Sequence, residues 1–308
     1  MISLNSVSRS TKIFIALAFF YAALTFILPA NATTKANYRL DDAQYQYLLF
    51  IVKLPIIAVW SLAFYSYRRL ANYAQSIKDT SEGKDFTTIA KGMSWIAWGL
   101  PIPAVISSLL SALANAQADF RAVSAVIGGY LAVAVSLVAF HYFSSGTHSL
   151  VRRADVEVKI KHIRILVGAL IAIGLVFVVL IFSKLHSTNL GDSFNSFYLP
   201  NWLVWSTIVG PYLYAWFLGV FAVMEFILIA RQTSGVIYRQ ALQLLAVGLV
   251  LIILSLCALQ YFRAVIPRSG HLTIGAALIT TYGIYAVNAL GSVVLAVGAK
   301  RLQRIEDI

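Results

Sequence analysis

The sequence predicts an all-α, polytopic membrane protein of about eight transmembrane helices, written as a tandem four-plus-four parallel repeat. Three observations carry that expectation. Of 308 residues, 60% are hydrophobic and only 12% are charged, and the mean hydropathy is +0.80, far from the balance of a water-soluble domain. The apolar residues fall into runs of roughly the 20 residues a helix needs to cross a bilayer. A Pro followed five positions later by Trp occurs twice, as Pro55 to Trp60 and Pro211 to Trp216.

The first run, Ile13 to Leu28, follows Arg9 and Lys12. Ala30-Asn31-Ala32 after it resembles a signal-peptide cleavage site. The run also has a counterpart from Ile165 to Phe182, which cannot be a signal peptide, so it is read as a retained span. The second span, Tyr47 to Tyr67, carries Lys53, Pro55 and Trp60 and ends on Arg68 and Arg69. The third, Met93 to Leu113, contains Pro101 and Pro103, which remove helix hydrogen bonds and should kink or break it. The fourth is Ala125 to Phe143. The later spans are Ile165 to Phe182, Trp202 to Ala230, Ala241 to Tyr261 and Leu272 to Val297. The units are thus 1–151, a basic linker at 152–164, and 165–308.

Lys and Arg set the orientation, because cytoplasmic segments retain positive charge during insertion. With eight spans, 17 of them fall on one side and 6 on the other, which places both termini in the cytoplasm of a cell-membrane protein. The net charge of +12 lies in short segments between apolar runs, so it indicates orientation and contact with anionic lipid rather than nucleic acid. The bilayer is the expected partner, with room for a small solute, a second copy or another membrane protein.

Shifting by about 156 positions superposes Pro55 on Pro211 and Trp60 on Trp216. Near the ends of the halves a shift of about 152 superposes Gly146 on Gly298 and Leu150 on Leu302. Loops of unequal length account for the two offsets. Halves with four spans each share one orientation, which implies a pseudo-twofold axis along the membrane normal.

Few residues could carry chemistry. Lys53 sits inside a span, where an ammonium either faces the protein interior or snorkels outward. Glu225 is the one acid within an apolar run and aligns with Arg69, so the two either pair as an inner latch or each reach the inner headgroups. His141 ends the fourth span, but no second histidine shares its depth, so no haem or other cofactor is expected. His186 and His271 lie at outer ends and read as interfacial side chains, and no metal site is expected. Cys257, the one cysteine, lies in an apolar run and reads as packing. Gly128, Ala132 and Ser136, and Asn288, Ser292 and Ala296, form small-residue stripes four apart that should bring spans four and eight together.

No enzyme signature is present in the sequence. The first functional reading is a small-solute or ion transporter or channel framed by helices kinked at Pro55, Pro101, Pro103 and Pro211. The alternative is a non-transporting membrane module, such as a sensor, scaffold or assembly subunit, with basic cytoplasmic loops. The scarcity of intramembrane acids favours the latter.

Overall fold

The computed structural model describes residues 9–27, 41–99, 101–113, 118–153, 210–265 and 274–306. These form eight helices: α1 (Arg9–Ile27), α2 (Asp42–Ser76), α3 (Ser81–Gly99), α4 (Pro101–Leu113), α5 (Ala118–Arg153), α6 (Gly210–Gln232), α7 (Val236–Val265) and α8 (Ile274–Glu306). No strand occurs among the described residues. Among the described residues six segments are long and apolar enough to cross a membrane: Arg9–Phe26, Asp42–Ser76, Ser81–Ile106, Leu213–Gln232, Val236–Leu256 and Tyr282–Arg304. At ~1.5 Å per residue the 36-residue α5 also exceeds a ~30 Å hydrocarbon layer. The chain is therefore a multi-pass helical membrane protein.

Local chemistry sets the helix ends. Asp41 caps α2: its Oδ1 accepts from Gln44 N at 2.7 Å, and Gln44 Oε1 accepts from Asp41 N at 3.1 Å. This reciprocal pair satisfies amides that a helix start otherwise leaves unbonded. Thr80 caps α3 through one side-chain bond, its Oγ1 accepting from Gly83 N at 3.0 Å. Pro55 stays inside a continuous α2. Pro101 and Pro103 are the first and third residues of α4 as described, and Leu100 between α3 and α4 lies outside the described residues. Pro211 is the second described residue of α6, and the residues before Gly210 lie outside the described residues.

The helices close a ring in which each packs on the next: α2 on α3, α3 on α5, α5 on α6, α6 on α7, α7 on α8, and α8 back on α2. Outside it, α1 lies on α2 and α4, held by Phe14 stacked on Phe64 at 4.5 Å and Tyr21 on Trp60 at 4.7 Å. Each helix of the ring contributes fully buried apolar side chains to the core, among them Leu70, Phe86, Phe143, Phe226, Leu242 and Leu302. Large apolar residues such as Phe19, Phe26, Tyr47, Ile279 and Leu290 point outward, as a lipid-facing surface requires.

Two glycine contacts fix the helix spacing. A Cβ on Gly92 would lie 2.8 Å from the Ala139 carbonyl and 2.9 Å from the Phe143 ring. A Cβ on Gly248 would lie 2.8 Å from the Gly291 carbonyl and 2.7 Å from Leu295. Both places need the close backbone approach that glycine allows.

The small-residue stripes are placed differently from the sequence expectation. On α8, Asn288, Ser292 and Ala296 are buried, but the principal neighbours of α8 are α7 and α2. Ser136 is buried on α5, which packs chiefly on α3, α4 and α6. The side chains of Gly128 and Ala132 lie outside the described residues. A stripe of small residues marks a face for close approach and leaves its partner unspecified, and α3 and α7 take that role.

Candidate functional site

Polar side chains gather at three places. The first is Lys53 on α2, 6% exposed, which turns onto α1. Its Nζ donates to the Tyr21 carbonyl at 3.1 Å and lies 4.6 Å from the centre of the Tyr21 ring. Among the described residues no acidic side chain pairs with it. Thr25, one turn along α1 from Tyr21, is fully buried, and its Oγ1 has no hydrogen-bond partner.

The second is a seam where α2, α7 and α8 meet. Ser66 Oγ reaches the Leu62 carbonyl at 2.9 Å and also the Ser292 carbonyl of α8. Asn288 Nδ2 donates to Ser255 Oγ at 2.6 Å, and Ser255 donates to the Ile252 carbonyl at 2.7 Å. All four residues are buried, and Asn288 Oδ1 and Ser292 Oγ have no partner. Ser292 falls near the middle of the candidate span Tyr282–Arg304. The sequence supplied Asn288 and Ser292 as packing positions; that each lies beside a polar contact to a neighbouring helix, Ser66 at the Ser292 carbonyl and Ser255 at Asn288, is new, since Ser66 and Ser255 look like ordinary helix serines when read alone.

The third lies at the end of the ring that carries the α2–α3 and α6–α7 connections. Glu225 of α6 accepts from Thr147 Oγ1, and its Oε1 lies 3.0 Å from His148 Nδ1, both on α5. Arg69 instead bonds within its own helix, Nε to Tyr65 Oη at 3.0 Å, with the guanidinium over that ring. The latch expected between Arg69 and Glu225 is therefore absent: Arg69 reaches its own turn, and Glu225 finds donors across the α5–α6 interface. Tyr238 of α7 donates to Glu82 of α3. Arg153 Nε lies 2.8 Å from the buried Asp85 Oδ2, although no donor is aligned on that oxygen. The contact is a charge attraction rather than a directed hydrogen bond.

His141 is exposed on α5, beside the ring of its neighbour Tyr142. His186 and His271 lie outside the described residues. No group of three potential ligands that could hold a metal occurs among the described residues. Lys53 and Glu225, the two charges nominated as site participants, occupy different interfaces, α1–α2 and α5–α6, and do not share a site.

No protein family, curated protein or solved structure matches this chain.

Proposed function

We propose that the chain is an eight-span cell-membrane protein of two four-helix units, with both termini cytoplasmic, and that it moves a small solute or ion. Support for two units comes from paired contacts. Gly92 against Ala139 and Phe143 becomes Gly248 against Gly291 and Leu295 on adding 156 to the α3 number and 152 to the α5 numbers. Gly146 against Asp85 and Ile89 becomes Gly298 against Ala241 and Leu245 under the same two offsets. The ring order also repeats, α2–α3–α5 followed by α6–α7–α8.

The observation that carries transport is the seam of Ser66, Ser255, Asn288 and Ser292. Unsatisfied polar atoms are costly inside a bilayer, because no water replaces the missing partner. Two lie together near mid-span, on Asn288 and Ser292, in an otherwise apolar helix interface. Such cost is commonly retained where a site binds something, and the oxygen-rich, uncharged lining suits a neutral polar solute or a monovalent cation.

The test is a thermal-shift panel of small solutes and ions on the purified protein, followed by uptake into proteoliposomes. A solute that stabilises the parent, fails to stabilise Asn288→Leu and is taken up only by the parent supports the proposal. A silent panel, no uptake, and full stability of Asn288→Leu and Ser292→Ala would transfer the assignment to the non-transporting module. That second reading has its own support in the well-packed end of the ring, where Phe86, Phe143 and Phe226 are fully buried.

A further inference from the structure

We infer that Lys53 and Thr25 form an oxyanion-binding site where α1 packs on α2, taking a carboxylate or phosphate oxygen. This site lies apart from the seam and does not depend on the transport proposal. An ammonium has three hydrogens to donate. Lys53 places one on the Tyr21 carbonyl, and the ring of the same residue lies 4.6 Å from its nitrogen. Neither partner carries a negative charge. Helix α1 has no acidic residue, and Asp42, the one acid of α2, is eleven residues away, ~16 Å along the axis.

An ammonium with no acidic partner among the described residues is expensive inside a bilayer, and snorkelling is its usual relief. Here the side chain turns inward onto α1 and is 6% exposed, so it does not take that route. The Thr25 hydroxyl supplies an unspent donor one turn from the Lys53 anchor, in a residue that is itself fully buried. An oxyanion would use both donors and neutralise the charge at once. Toward the α2 N-terminus the rings of Phe26 and Phe50 stand 6.1 Å apart. Phe26 is 62% exposed, so this side of the site presents apolar rings to lipid. The oxygen belongs to either a lipid headgroup or a free solute, since the chemistry is the same for both.

The test follows thermal unfolding of the purified full-length protein in neutral detergent, in two arms. One arm adds inorganic phosphate or acetate, with sodium chloride at matched ionic strength as control. The other adds phosphatidylglycerol, with phosphatidylcholine as control. A rise of ~5 °C is expected in at least one arm once the ligand exceeds its Kd a hundredfold. A response in the first arm identifies a free oxyanion, and a response confined to the second identifies a headgroup. The rise should vanish in Lys53→Met and shrink in Thr25→Val, which removes a donor without touching the charge. Basic residues elsewhere also attract anionic lipid, so only the portion lost in these variants counts. No rise in either arm overturns the site, as does a rise that both variants retain.

Discussion

Tyr238 donates its phenolic hydrogen to Glu82, a residue 156 positions earlier in the chain. The same spacing relates Pro55 to Pro211 and Trp60 to Trp216. In a chain built of two like units, two equivalent positions can touch only at the axis that relates the units. Glu82 and Tyr238 lie in the first turns of α3 and α7, so their bond joins these two helices at the connector end of the ring, where the proposed two-unit reading puts the axis. A hydrogen bond to a carboxylate contributes more than one between neutral groups. Glu82→Gln and Tyr238→Phe should each lower stability by about 1–2 kcal/mol, with the double variant no worse than the poorer single. Additive losses in denaturant titrations would show that the two act separately.

The glycine contacts predict matched sensitivities. A methyl group on Gly92 or Gly248 meets a backbone carbonyl at 2.8 Å, and a carbonyl held in a helix cannot swing aside as a flexible side chain does. Gly92→Ala and Gly248→Ala should therefore each cost about 1–3 kcal/mol by overpacking. Similar losses are expected, because the neighbours are similar. Gly283, where an added Cβ would meet nothing within 4 Å, is the control and should tolerate Ala in the same thermal assay.

Glu225 gives a prediction that separates its actual partners from the one the sequence suggested. Its carboxylate is held by Thr147 and His148. Thr147→Val and Glu225→Gln should couple by about 1 kcal/mol in a double-mutant cycle, since each loses the same contact. Arg69→Gln combined with Glu225→Gln should be additive, because Arg69 is engaged with Tyr65. Coupling of that second pair would restore the latch.

The membrane class was legible because composition and run length bear directly on what a bilayer accepts, and the two offsets could be proposed because Pro, Trp and Gly are distinctive. Partner choice was not. Lys53 could be seen to be buried or snorkelling, but only the placement of α1 shows that it meets Tyr21. Ser66 lies near the basic end of its span, so nothing in the sequence ties it to Ser292, 226 positions later. Trp60 and Trp216 looked equivalent, yet Trp60 packs on α1 while Trp216 is half-buried beside its neighbour Phe217. Periodicity identifies a buried face. It does not identify the helix that covers it.

Orientation in the membrane yields the last prediction. The α2–α3 connection at 77–80 and the α6–α7 connection at 233–235 lie at the same end of the ring, as the contact of Glu82 with Tyr238 requires. Exposed Lys78, Lys84, Arg231 and Arg239 flank these connections, and Arg301 joins the same end through Gln240 at 2.8 Å. Basic residues that far apart in sequence converge on one face, which is the arrangement that retention of positive charge in the cytoplasm produces. Alkaline phosphatase, active only outside the cytoplasm, should thus be inactive when fused at Asp79 or Ser234 and active when fused at Asn115. The reverse pattern would invert the topology while leaving the ring intact, since the positive face would then be the outer one. Replacing Lys78, Lys84, Arg231 and Arg239 together by Gln should weaken the bias and give mixed activity at all three positions, whereas the same number of Gln substitutions among Lys35, Arg39, Arg121 and Lys184 should leave it unchanged.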